Sequence, residues 1–175
     1  TTASNYTVTV TGSNSCTATA ATQVNVGTSP SATITPGGST TFCQGSNVML
    51  TAGGGATYNW STGETTASIM ATNTGLYTVT VTAANTCTAT AAQSVSVNNA
   101  PSATITPNGS TNICPGSSVG LTAGGGNSYS WSNGANTATT TVNTAGTYTV
   151  TVTGANTCTA TAAQQVNIQS SQASI

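Results

Sequence analysis

The sequence predicts an all-β fold: tandem antiparallel β-sandwiches, about seven strands to each 71-residue repeat. Three observations carry this. Threonine alternates with valine in TVTVT at 7–11, 78–82 and 149–153, the period-two pattern of a strand with one buried face. Clusters of Gly, Asn and Ser interrupt the alternation at short intervals, as turns require. The whole pattern also recurs. Cys16, Cys87 and Cys158 are spaced by 71 residues, as are Cys43 and Cys114, Trp60 and Trp131, Tyr58 and Tyr129, and the series Tyr6, Tyr77, Tyr148.

A period of this length exceeds a solenoid coil or a propeller blade and suits one small sandwich per repeat. Residues 30–100 and 101–171 align without a gap. Residues 1–29 match only the last part of a repeat, its two closing strands, and 172–175 (QASI) match an opening. The expected organisation is thus a truncated repeat, two whole repeats and the start of another, a window on a longer array. The junctions VNVGTSPSAT and VSVNNAPSAT are short and contain proline, which restricts bending.

Within 30–100 the strands follow in order. SATIT (31–35) alternates and runs into Pro36, an edge strand, since proline cannot donate to a central ladder. TTFC (40–43) is read as a short continuation of it. NVMLTA (47–52) puts Val48 and Leu50 on one face; Gly120 stands where Met49 would be in the next repeat, which marks that side as outward. TYNWS (57–61) puts Tyr58 and Trp60 on one face, and ASIMA (67–71) supplies a later strand. TNTGLYTVTVT directs Tyr77, Val79 and Val81 inward, and AANT turns the chain into TATAAQSVSV (88–97). The candidate core is built on Trp60, Trp131, Tyr77, Tyr148 and Tyr6. TGLYTV and AGTYTV have the form of a tyrosine corner, in which the hydroxyl holds the preceding loop.

Composition removes most functions. The chain has no Lys, Arg or His and one acidic residue, Glu64. General acid–base catalysis needs a titrating group with a partner, and Glu64 has no second carboxylate to work with; no catalytic residue is expected. Nucleic-acid affinity rests on cations that neutralise phosphates, so no nucleic-acid partner is expected. No CxxC and no His are present for a metal, and nothing indicates a cofactor. The apolar runs are too short for a spanning helix, so no membrane insertion is expected, and any signal peptide would lie outside these residues.

Five cysteines in so small a chain point to an oxidising compartment. Counting one cysteine early and one late in each whole repeat gives Cys43–Cys87 and Cys114–Cys158, with the partner of Cys16 beyond the window. Geometry offers an alternative. In sandwich order the first and last turns lie at opposite ends, separated by six or more residues at ~3.3 Å each, whereas a disulfide needs Cα atoms within about 7 Å. Cys43–Cys158, across the junction between repeats, meets that demand, and both pairings stand at this point.

CPGSSVGLTAGGGNSYSWSNG (114–134), AGTYTVTV (145–152) and ANTCTATA (155–162) resemble the immunoglobulin-like repeats of giant surface and secreted proteins of Bacteroidetes-type bacteria, gliding adhesins among them. The resemblance covers nearly the whole chain. It implies immunoglobulin-like sandwiches that act mostly as spacers and a place at the cell surface or outside the cell. Family members often carry Asp and Gly in the final turn, where this chain has GSNSC, AANTC and GANTC. The function expected is a stiff, disulfide-stabilised stalk or filament that associates with identical chains or neighbouring repeats. The alternative is a glycan- or ice-binding surface, suggested by the outward threonines. Asn5, Asn59 and Asn108 fall in N-x-S/T sequons, which arise readily by chance in this composition.

Overall fold

The computed structural model describes residues 3–169; the start of a further repeat expected at 172–175 lies outside them. All regular structure within them is β. Sixteen strands form: β1 (Ser4–Thr11), β2 (Thr17–Val24), β3 (Thr33–Pro36), β4 (Thr41–Cys43), β5 (Val48–Gly53), β6 (Thr57–Trp60), β7 (Ser68–Ala71), β8 (Gly75–Thr82), β9 (Thr88–Asn98), β10 (Thr104–Pro107), β11 (Asn112–Ile113), β12 (Val119–Gly124), β13 (Ser128–Trp131), β14 (Thr139–Val142), β15 (Gly146–Thr153) and β16 (Thr159–Ile168).

Seven strands follow Pro30 in the first whole repeat and seven more follow Pro101, with identical connectivity. One sheet is β3–β5–β7, repeated as β10–β12–β14; the other is β4–β9–β8–β6, repeated as β11–β16–β15–β13. This is an immunoglobulin-like sandwich, antiparallel except for β4 on β9 and β11 on β16.

The core follows the alternation. In β8 the burial pattern puts Tyr77, Val79 and Val81 inside and leaves the threonines between them half-exposed. Opposite them Val48, Leu50, Ala52, Ile69 and Ala71 are buried. In the second repeat one cluster draws Val119, Leu121, Ala123 and Val142 from one sheet and Trp131, Val150, Val152 and Val166 from the other. Trp60 and Trp131 are both 3% exposed, and each indole N–H donates to a carbonyl in the following loop, Thr66 and Thr137, at 2.9 Å. A buried indole thus keeps its hydrogen bond. Tyr77 donates to the Asn73 carbonyl at 3.0 Å and Tyr148 to the Thr144 carbonyl at 3.1 Å, the corner contact that the TGLYTV and AGTYTV motifs imply. Tyr148 is half-buried against the second core.

TTFC does not simply continue the first strand. Gly37 still donates its N–H to the Met49 carbonyl of β5; beyond it the chain crosses to the other sheet, where β4 runs parallel to β9 with Cys43 opposite Asn98. The crossing places Cys43 at a strand end. The chain divides into two compact units. Among the described residues, one holds those from 3 to 40 together with Val48–Val95; the other holds Thr41–Asn47 together with those from 96 to 169. Residues 41–47 therefore belong with the sequence repeat that follows them.

Candidate functional site

The repeated turn of the closing hairpin is built from its sequence upward. In AANTC the Thr86 N–H donates to the Ala83 carbonyl and the Ala83 N–H to the Cys87 carbonyl, both at 2.9 Å. Such closure requires a left-handed residue before the cysteine. Thr86 adopts φ 64°, and its equivalents Ser15 and Thr157 adopt 61° and 63°. These are strained positions for residues other than glycine, and more so for β-branched threonine. The cysteine that follows lies just outside the ladder, whose pair nearest the turn is Thr82 with Thr88.

The asparagine of the turn works at both ends. Asn156 Oδ1 accepts from the Cys158 N–H at 3.2 Å, while its Nδ2 donates to the Asn99 carbonyl at 2.9 Å. Asn85 does the same with Cys87 and the Thr28 carbonyl. An aspartate offers no donor for the second bond, so this clamp uses asparagine for a chemical reason.

The structure joins Cys43 to Cys158, with Cα atoms 5.6 Å apart and 115 residues between them in sequence. This corrects the pairs Cys43–Cys87 and Cys114–Cys158, which do not form. Cys43 ends β4, whereas Cys87 immediately precedes β9, and β4 pairs with β9 only at its far end, Ser96–Asn98. The length of β9 therefore separates them. Cys158 is 1% exposed, with its sulfur 3.9 Å from the Asn98 carbonyl. Cys16 and Cys114 are exposed free thiols and Cys87 a half-buried one.

The β1–β2 hairpin corrects one core assignment. Its register pairs Tyr6 with Thr22, Val8 with Ala20 and Val10 with Ala18, the same pairing that Tyr77, Val79 and Val81 make with Gln93, Ala91 and Ala89. Yet Tyr6 is 61% exposed, and Val8 and Val10 similarly so. β1 and β2 form a two-stranded sheet alone, so nothing among the described residues covers this face.

Glu64 is exposed, and its backbone carbonyl accepts from the Trp60 N–H. Among the described residues no three of His, Cys, Asp and Glu come together. The threonines form short cross-strand rungs, Thr80 with Thr90 and Thr82 with Thr88, repeated as Thr151 with Thr161 and Thr153 with Thr159.

No family model matches this sequence, and no curated protein matches it. Several solved structures are similar. An adhesin of an Antarctic bacterium, described as Ca2+-stabilized and as binding ice, aligns at 18% identity and TM-score 0.45 over 96% of this chain and 57% of its own. A 1.5-MDa bacterial ice-binding adhesin aligns at 19% identity and TM-score 0.40 over 94% of this chain and 73% of its own. Murine CEACAM1b aligns at 14% identity and TM-score 0.38 over 79% of this chain and all of its own.

Proposed function

We propose that this chain is a structural section of an extracellular adhesin: a stiff stalk or filament of immunoglobulin-like sandwiches, of the kind carried by giant surface proteins of Bacteroidetes-type bacteria. The observation that carries the reading is the Cys43–Cys158 bond, which ties one sequence repeat to the next. A crosslink of this kind serves a chain under tension. The short, proline-bearing junctions support the reading, as does the asparagine clamp at each of them. So does the parallel pairing of β4 with β9 and of β11 with β16. Tension on the two ends of such a repeat pulls these strands in opposite directions along their length. Their hydrogen bonds then bear load together instead of opening one by one.

Single-molecule extension from the two chain ends tests this. The oxidised protein should stop short of the reduced one by the 115 residues spanned by the bond, about 400 Å at roughly 3.5 Å per residue. It should also withstand higher force. Equal contour length and equal force with and without reductant would sink the stalk reading. The second reading, a glycan- or ice-binding surface, is favoured by the threonine rungs. Thermal hysteresis or a glycan-array signal that disappears in Thr80→Val/Thr82→Val would establish it instead.

A further inference from the structure

The sequence contains two Asn–Gly pairs, Asn108–Gly109 and Asn133–Gly134, both exposed and both in the second whole repeat. In such a pair a backbone nitrogen is well placed to attack a side-chain amide. Nucleophile and electrophile share one dipeptide, and glycine has no side chain to obstruct the approach or restrict the backbone. The fold gives the two pairs different surroundings.

Asn108 lies just past the end of β10, where its N–H donates to the Gly120 carbonyl at 2.8 Å. Its side chain lies over β12. A β-carbon on Gly120 would stand 3.0 Å from Asn108 Nδ2, and the Thr122 hydroxyl donates to Asn108 Oδ1 at 3.1 Å. The first whole repeat has Gly37 and Met49 at the positions of Asn108 and Gly120, so the asparagine side chain comes together with a glycine that leaves room for it. Gly109 has open space around it, and among the described residues nothing accepts from its N–H. At the other pair the Gly134 N–H donates to the Trp131 carbonyl at 2.9 Å, in a turn that holds Gly134 at φ 87°. Asn133 Oδ1 accepts from the Ala135 N–H at 3.2 Å, and its Nδ2 donates to the Thr140 hydroxyl at 2.9 Å. Both amide carbonyls are therefore polarised by a donor. The attacking nitrogen separates the sites, because it is unbonded at Gly109 and bonded at Gly134.

We propose that Asn108 is a self-modification site, at which the folded chain converts an amide into a carboxylate. Gly109 is the nucleophile, and Thr122 is the donor to the developing oxyanion. The Gly109 N–H gives its proton to hydroxide, and the nitrogen attacks Asn108 Cγ. Negative charge collects on Oδ1, where the Thr122 hydroxyl meets it. The Cγ–Nδ2 bond breaks, the departing nitrogen takes a proton from water, and ammonia leaves behind a succinimide. Water then opens the ring at either carbonyl and gives aspartate or isoaspartate. The isoaspartate routes the backbone through the side chain between β10 and β11. No oxidant or reductant takes part. Either product adds a negative charge to a chain whose formal net charge is −1. The reaction is independent of any stalk function.

The test incubates the intact folded chain in mildly alkaline buffer and follows both sites by peptide mapping, with isoaspartate detected by enzymatic methyl transfer. Asn108 should convert roughly tenfold faster than Asn133, the cost of freeing the Gly134 nitrogen from its hydrogen bond. In urea, where both pairs lose their surroundings, the two rates should become equal. Thr122→Val should slow Asn108 about fivefold and leave Asn133 unchanged, whereas Thr122→Ser keeps the hydroxyl and should retain the rate. Gly109→Ala puts a β-carbon into open space, so it should keep the fold and slow conversion at Asn108. Equal rates at the two sites in the folded chain, or faster conversion at Asn133, would overturn the proposal. A rate at Asn108 that is unchanged or raised in Thr122→Val would overturn the role given to Thr122.

Discussion

Replacing Cys43 by Ser should cost the second unit far more stability than replacing Cys16, Cys87 or Cys114. The bond closes a loop of 115 residues, for which the chain-entropy relation gives about 4.8 kcal/mol. If residues 48–95 stay folded while the second unit opens, the flexible part of that loop falls to roughly 70 residues and the figure to about 4.4 kcal/mol. The logarithm makes the choice nearly irrelevant. The substitution adds little of its own, because it leaves Cys158 as a buried free thiol, and such a thiol behaves as a small apolar group. Urea unfolding of Cys43→Ser should therefore show a loss of about 3–5 kcal/mol, and wild type in reductant should show the same loss. The triple variant Cys16→Ser/Cys87→Ser/Cys114→Ser keeps the bond and should match oxidised wild type. A loss below about 1 kcal/mol in Cys43→Ser, or an equal loss in the triple variant, would refute this account of what the bond does.

Thr157→Gly removes a β-branched residue from φ 63° and should raise stability by about 0.5–1 kcal/mol, the relief of a left-handed residue less the added freedom of the unfolded chain; a thermal melt that falls would refute the strain argument. Gly125→Ala should cost more than about 3 kcal/mol or prevent folding, because φ is 96° and the new β-carbon meets the Ser102 carbonyl oxygen. Gly134→Ala, at φ 87° with open space around it, should cost only about 1 kcal/mol, and equal urea midpoints for the two variants would disprove the packing contribution. With one acidic side chain and no basic one, protonation has little to couple to folding. The melting temperature by calorimetry should therefore change by less than about 3 °C between pH 4 and 7, and a drop of 10 °C or more would contradict this.

Most of the fold was legible because its signals are local. Val79 and Val81 alternate with Thr80 and Thr82, and a strand's pleat sends alternate side chains to opposite faces. Strand β8 and its buried face could therefore be read without any partner. Trp60 and Tyr77 carried their own signals, one in an alternating strand and one in a corner motif. Met49 against Gly120 marked the outward side. Tyr6 shows the limit of this logic. Its local pattern equals that of Tyr77, but burial depends on an opposing sheet, and no sheet among the described residues lies opposite β1. The strained Thr86 and the two-ended role of Asn85 were missed for a related reason. A TVTVT-turn-TATA hairpin is recognisable whatever its turn does, and the Thr28 carbonyl that Asn85 holds lies 57 residues away. The available clue was a threonine where resembling proteins place glycine.

Period, strand positions and core faces follow from repetition and alternation, which need no knowledge of where the chain goes. The disulfide was decided in three dimensions. Cys43 and Cys87 share a repeat and lie nearer in sequence, yet β9 runs its length between them. Cys158 is far along the chain, but the crossing after Pro36 and the left-handed turn at Thr157 bring its sulfur to Cys43. A covalent bond requires contact, and contact in a sandwich is set by which strand ends meet.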